Sequence, residues 1–140
     1  FDADAWAELF KRSGAKYVVF TSKHHDGYCM YDSRYAKGWS SATTAPQRDF
    51  CKELTDAVRK RDMKMCMYYS LTEWTNPLYR WTVDTLKSID EYVEKHLHPQ
   101  FKEMVDMFSP LVFSDGDWDF EAVGVGHVGG LETLIDIYAS

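Results

Sequence analysis

The sequence predicts an α/β fold with a parallel sheet, and three observations support this. Three short, mostly apolar runs occupy residues 16–21, 63–69 and 111–114. They alternate with amphipathic helical patterns, an order that is typical of parallel α/β proteins. Each run also ends in polar residues that could carry chemistry. Functional sites of such folds lie at the carboxyl ends of the strands, so the pattern predicts both a fold and the place of a site.

The first two helices have clear sequence signals. Apolar residues recur at helical spacing through residues 1–13, and Gly14 follows as a stop signal. A second helix is predicted for residues 50–61, with Asp49 as the residue that caps its amino terminus.

The later helices are predicted from periodicity and proline. Residues 82–97 are expected to be helical, and Pro99 is expected to start a further helix that Pro110 ends. His96 and His98 have the spacing of a metal-binding pair but lie near this boundary, away from any predicted strand end, so we expect neither to be a metal ligand.

The sequence also predicts how the first strand is buried and where the long loops lie. The run at residues 16–21 is short, β-branched and aromatic, so we expect a strand buried on both faces. Long loops follow at residues 23–48 and 70–81, and long loops in compact domains are often functional. In the second loop, Glu73 is expected to be exposed, and Trp74 is expected to cover the core or to line a pocket.

Composition excludes several classes of protein. The chain has 140 residues, of which 45% are hydrophobic and 27% charged, which is typical of a globular domain rather than a disordered chain. No apolar run approaches the roughly 20 residues of a membrane-spanning helix. The net charge of −6 and the lack of a basic stripe argue against nucleic-acid binding.

The cysteine spacing bears on metal binding, and the chain length bears on the size of the fold. Cys29, Cys51 and Cys66 form no zinc-binding spacing and are expected to behave as small apolar residues. We expect no metal and no cofactor. A complete (β/α)8 barrel needs about 250 residues, so the chain is either a small open α/β domain or part of something larger.

Two groups at the strand ends are candidates for chemistry. His24 and His25 follow the first strand, where they could donate hydrogen bonds to a hydroxylated ligand, bind a metal, or have no role. Asp115 follows the third strand and precedes a glycine, so it is either a turn residue or a carboxylate held at the strand tip as nucleophile or base. Asp117 is expected to be a solvated loop acid.

Several blocks of the chain form a specific set of motifs. They include Lys-His-His-Asp-Gly at residues 23–27 and Ser-Asp-Gly-Asp-Trp at residues 114–118, with Tyr-Tyr-Ser at 68–70 and Leu-x-Glu-Trp at 71–74 between them. These blocks resemble the α-L-fucosidases of glycoside hydrolase family 29. The resemblance covers residues 1 to about 118, in order and at sensible spacing.

The resemblance implies a retaining exo-glycosidase on a partial (β/α)8 TIM-like barrel of about three βα units. The catalytic fragment would span residues 1–118, followed by a divergent tail at residues 119–140 that forms no separate domain. The family nucleophile maps onto Asp115. The residues implied to bind the sugar are His24, His25, either Tyr68 or Tyr69, Trp74, and Phe113, which stands where the family usually has tryptophan.

The acid/base carboxylate is not identified. In the family it lies downstream of the nucleophile, and neither Glu121 nor Glu132 is assigned to the role. We therefore expect the isolated chain to hydrolyse aryl α-L-fucosides poorly or not at all.

The resemblance also implies fucosylated glycans or glycoconjugates as partners, and a lysosomal, secreted or periplasmic location. A homo-oligomeric full-length enzyme is compatible with it. Two alternatives stay open from the residues alone: a metal-dependent hydrolase that uses His24 and His25, and a non-catalytic fucose-binding module.

Overall fold

The computed structural model describes residues 1–79, 90–109 and 111–114. The strands and helices follow one another in the predicted alternating order. They are helix α1 (Ala3–Arg12), strand β1 (Tyr17–Lys23), helix α2 (Phe50–Arg59), strand β2 (Lys64–Tyr69), a π-helical segment (Val93–Leu97), helix α3 (His98–Phe108) and strand β3 (Leu111–Ser114).

The three strands form one parallel sheet in the order β1-β2-β3, which confirms the predicted α/β class. At the carboxyl end of the sheet, Tyr69 of β2 pairs with Lys23 of β1 on one side and with Ser114 of β3 on the other. The register of β1 shifts between Thr21 and Lys23. All three strands therefore end level with one another, and the described residues that follow β1 and β2 lie along the edge of the sheet at which β3 also ends.

Both amino-terminal helices begin at a capping aspartate. The Asp2 carboxylate accepts a hydrogen bond from the Ala5 amide at 3.0 Å, and the Asp49 carboxylate accepts one from the Lys52 amide at 2.8 Å. These bonds satisfy amides that have no partner inside the helix. The predicted cap at Asp49 is confirmed, and both observed helices lie within their predicted ranges.

The third helical region differs from the prediction at its proline. Residues 90–108 form one helical run, and the segment Val93–Leu97 in it has π-helical hydrogen bonding. α3 begins at His98, with Pro99 in its first turn, where the missing proline N–H costs least. The chain therefore changes its helix type near Pro99 instead of leaving the helix. Residues 82–89 of the predicted helix lie outside the described residues, as does Pro110.

The core lies between the helices and one face of the sheet. Met67 and Tyr69 of β2 pack in a single buried cluster with Leu54 of α2 and with Met104 and Phe108 of α3. Burial of this apolar face is the main favourable contribution to folding of such a layer.

The opposite face of β1 contradicts one prediction. Tyr17 is 58% exposed and Val19 is 44% exposed, whereas Val18 and Phe20 pack against the core. Successive side chains of a strand point to opposite faces, and the described helices cover one face of β1 only. The expectation that this strand is buried on both faces is therefore wrong within the described residues.

Within the described part of the chain, no helix combines the length and the apolar character needed to cross a bilayer.

The core packing leads to a test with two methionines of α3. Met104 is fully buried and Met107 is 45% exposed. We expect Met104→Ala to lower the free energy of unfolding by about 2–5 kcal/mol, because the substitution leaves a cavity. Met107→Ala, the matched control, is expected to change it by less than about 0.5 kcal/mol. Urea unfolding of the complete gene product measures both, and equal effects would contradict the placement of α3.

Candidate active site

The loops that follow β1 and β2 are joined at the carboxyl edge of the sheet. The Ser70 amide donates to the Lys23 carbonyl at 3.1 Å, and the Trp74 amide donates to the His25 carbonyl at 2.7 Å. Residues separated by nearly fifty positions in sequence therefore share one surface, as expected for the ends of parallel strands.

The paired histidines form a ring cluster with Tyr68. The His24 ring centroid lies 4.1 Å from that of His25 and 5.8 Å from that of Tyr68, with an angle of 28° between the His24 and Tyr68 planes. Tyr68 is half-buried. Three groups that can hydrogen-bond to hydroxyls thus lie side by side at the strand ends.

His25 is held from the side of the second loop. Its Nδ1 atom lies 2.5 Å from Ser70 Oγ and 2.5 Å from Thr72 Oγ1. The Trp74 ring centroid lies 5.1 Å from that of His25, and residue Trp74 is 55% exposed. Trp74 is therefore a largely exposed residue beside His25.

Tyr69 lies on the other face of the sheet. Its hydroxyl donates to Gln100 Oε1 at 2.6 Å, and its ring packs edge-on against Phe101. Burial raises the pKa of Tyr69 well above its usual value. Strand alternation thus places Tyr68 with the histidines and Tyr69 in the core.

The pairing of β3 with β2 shows where the third strand ends relative to Tyr68. Phe113 pairs with Tyr68, and Ser114 pairs with Tyr69, so β3 ends level with β2. Asp115 is the next residue in sequence, and it lies outside the described residues.

A buried charge cluster that joins the end of β1, the second loop and the helical run was not predicted. Glu73 is only 7% exposed, and Lys23 is fully buried. The Oε2 atom of Glu73 lies 2.9 Å from Lys23 Nζ and 2.9 Å from His96 Nε2. The expectations that Glu73 is exposed and that His96 lies away from the strand ends are therefore wrong, because the helical run brings His96 onto the second loop.

The charges of this cluster stabilise the ionised form of Glu73. Burial alone would raise the pKa of Glu73, but the hydrogen bond from His96 and the positive charge of Lys23 outweigh it, so the pKa lies below its ordinary value. Glu73 is therefore a carboxylate at neutral pH.

No local sequence signal marks Glu73 as buried, and its contact with Gly27 is visible only in the structure. The φ angle of Gly27 is +74°, which favours glycine, and a Cβ atom there would lie 2.9 Å from Glu73 Cδ. The turn after the histidines therefore accommodates the Glu73 side chain only because residue 27 has none.

The cysteines are placed as predicted. All three are buried, and none is in a disulfide. Burial raises the pKa of the Cys29 thiol to about 12, so this group is not a nucleophile at neutral pH. Among residues 1–79, 90–109 and 111–114, no three histidine, cysteine or acidic side chains are grouped as a metal site requires.

The fold and the strand-end cluster define an α/β protein with a candidate site at the carboxyl edge of a parallel sheet. Comparison with known proteins narrows this class. The sequence profile described as alpha-L-fucosidase matches residues 1–134. The chain is 44% identical over 121 residues to an α-L-fucosidase of Dictyostelium discoideum and 40% identical over 120 residues to the tissue α-L-fucosidase of Bos taurus.

A solved structure leads to the same family. The crystal structure of a glycoside hydrolase family 29 α-L-fucosidase from Bacteroides thetaiotaomicron matches with a TM-score of 0.75 at 32% identity, over 83% of this chain and 27% of that one. The alignments with the two relatives cover 84% and 85% of this chain and 26% of each relative. The chain belongs to the α-L-fucosidase family and spans about a quarter of the length of the relatives it matches.

The Glu73 cluster predicts a defined pH dependence of stability. We expect Glu73→Gln to lower the free energy of unfolding by about 3–5 kcal/mol at neutral pH, because Lys23 is left buried without its counter-charge. The folded-state pKa of Glu73 lies below the unfolded value. Its contribution is therefore complete above the unfolded pKa and is lost as the pH falls through the folded pKa.

Unfolding of wild type and variant between pH 7 and pH 3 measures this difference. The gap between the two proteins should shrink as Glu73 becomes protonated. Glu94→Gln, at an exposed position of the same helical run, is the control and should stay close to wild type throughout. A gap that does not change with pH would contradict the assignment.

Proposed function

We propose that the complete gene product is a retaining exo-acting α-L-fucosidase, which hydrolyses terminal α-L-fucosyl residues of glycoconjugates. The observation that carries this proposal is the cluster of His24, His25 and Tyr68 at the carboxyl ends of two parallel strands. Membership of the α-L-fucosidase family supports the substrate class.

The cluster has the chemistry that a sugar requires. Imidazole and phenol groups exchange hydrogen bonds with hydroxyls, and His24, His25 and Tyr68 present three such groups together. An exposed indole face suits the apolar side of a pyranose, and Trp74 lies next to His25. We assign the sugar-contacting tyrosine to Tyr68, since the Tyr69 hydroxyl is occupied in the core. Phe113, level with Tyr68 in β3, is proposed as a further sugar contact.

We assign Asp115 as the nucleophile. It directly follows β3, whose last residue pairs with the last residue of β2. In retaining chemistry, the carboxylate attacks the anomeric carbon while the bond to the leaving oxygen breaks and a second carboxyl, about 5–5.5 Å away, protonates that oxygen. The same group then takes a proton from water, which cleaves the glycosyl ester.

A solved structure of a family 29 enzyme supports the covalent route. An α-L-fucosidase from B. thetaiotaomicron is described as a trapped covalent intermediate in complex with 2-fluoro-fucosyl fluoride, and it matches this chain with a TM-score of 0.74 at 31% identity. The acid/base carboxylate of the present protein is left unassigned.

We further propose that the three strands are part of a (β/α)8 barrel. The exposed face of β1, with Tyr17 and Val19, would then be an interior face that further strands enclose. The proposed catalytic fragment is residues 1–118, with the tail at residues 119–140 as a continuation that forms no domain of its own. Fucosylated glycoconjugates are the proposed partners, and a lysosomal, secreted or periplasmic location stays a prediction.

The nucleophile assignment is tested by Asp115→Gly in the complete gene product. We expect turnover of an aryl α-L-fucoside to fall by several orders of magnitude, because no glycosyl ester can form, and to recover in part with added azide. Steady-state rates with and without azide measure this. Asp117→Gly, two residues away, is the matched control and should retain most of its activity. A wild-type rate in Asp115→Gly would remove Asp115 from the role.

The two tyrosines of β2 provide a second test. We expect Tyr68→Phe to lower kcat/KM about tenfold through the loss of one hydrogen bond to the sugar. Tyr69→Phe should instead lower the free energy of unfolding by about 1–3 kcal/mol, because Gln100 loses its buried donor. Kinetics and urea unfolding of both variants measure the contrast. The reverse pattern, with activity lost at Tyr69, would contradict the assignment.

A further inference from the structure

Lys23 combines full burial with a complete set of acceptors. Its ammonium lies 3.2 Å from the Ser70 carbonyl, 3.5 Å from the Thr72 carbonyl and 2.9 Å from Glu73 Oε2. A lysine ammonium has three hydrogens to donate, and three oxygens surround this one. Because a buried charge is costly without such partners, the arrangement binds the start of the second loop to the end of β1.

The two residues that accept hydrogen bonds from Lys23 through their carbonyls also contact His25 through their hydroxyls. Ser70 and Thr72 offer their carbonyls to the Lys23 ammonium and place their hydroxyls 2.5 Å from His25 Nδ1. Lys23 and His25 lie two positions apart in sequence, and both contact the same short segment of the second loop. Any displacement of this segment would therefore move the hydroxyls that orient the imidazole.

Glu73 directly follows residues 70–72 of the second loop and is held by side chains from other parts of the chain. Its carboxylate meets both Lys23 and His96, and Asn76 Nδ2 donates to Glu73 Oε1 at 3.4 Å. Gly27 of the first loop lies next to the Glu73 side chain, since a Cβ atom on residue 27 would lie 2.9 Å from Glu73 Cδ. The second loop is thus held by its own backbone carbonyls and by a glutamate anchored to the helical run.

We propose that Lys23, together with Glu73, is a positioning residue for His25. The buried ammonium holds the carbonyls of Ser70 and Thr72 so that their hydroxyls set the ring orientation of His25 and the nitrogen that carries its proton. This inference rests on the proposed function, in which His25 binds the hydroxyls of the sugar. A residue that acts in this way affects the reaction without touching the substrate.

The first variant is Lys23→Met in the complete gene product. Methionine keeps a long side chain but cannot donate to the two carbonyls. We expect kcat/KM for an aryl α-L-fucoside to fall about 100-fold, mainly in kcat, because a misoriented imidazole holds the sugar out of line. Lys64→Met, at the exposed start of β2, is the matched control and should leave kcat/KM unchanged.

The second variant separates positioning from stability. Lys23→Met alone leaves Glu73 buried without its lysine, whereas Lys23→Met combined with Glu73→Gln removes both charges. We expect the double variant to regain thermal stability relative to Lys23→Met and to keep the low kcat/KM. Recovery of kcat/KM together with stability would overturn the proposal, because Lys23 would then act on folding alone.

The third readout does not depend on activity. The ¹⁵N chemical shifts of the His25 ring report which nitrogen is protonated, and the signals are assigned by their loss in His25→Gln. We expect them to change in both Lys23 variants and not in Lys64→Met. Unchanged shifts in the stable double variant would overturn the proposal. If the wild-type protein does not cleave the fucoside, the proposed function fails, and these shifts still decide the role of Lys23.

Discussion

The ammonium of Lys23 and the carboxylate of Glu73 meet 2.9 Å apart inside the protein, and the candidate site is arranged around this contact. Neither charge could stay buried alone, so each fixes the other. The pair joins the end of β1 to the loop after β2, and His96 extends it to the helical run. The link to the paired histidines runs through Ser70 and Thr72, whose carbonyls accept from Lys23 and whose hydroxyls lie 2.5 Å from His25 Nδ1.

The parallel register decides which side chains meet at the site. Level strand ends bring the residues after β1 and β2 to the edge at which β3 ends, and the two-residue period of a strand separates Tyr68 from Tyr69. One tyrosine stands with the histidines and the other anchors Gln100 in the core. The same alternation leaves one face of β1 open within the described residues.

The helices and strands could be predicted because local sequence signals determine where they form. A capping aspartate before an amphipathic stripe defines α2, and Asp49 plays this role in the structure as expected. Apolar runs followed by polar residues located all three strands, and the position of a site at their carboxyl ends followed from the parallel order. The π-helical turn before Pro99 was missed, because periodicity indicates a helix without fixing its hydrogen-bond pattern.

The sequence by itself determined the α/β class, the family and the candidate pair His24 and His25, since these depend on short motifs and local periodicity. Only the tertiary structure decided that Glu73 is a buried carboxylate and that His96 belongs to its cluster. It also separated Tyr68 from Tyr69. These outcomes depend on contacts between segments distant in sequence and on which face of a strand is covered. The local sequence pattern predicts neither.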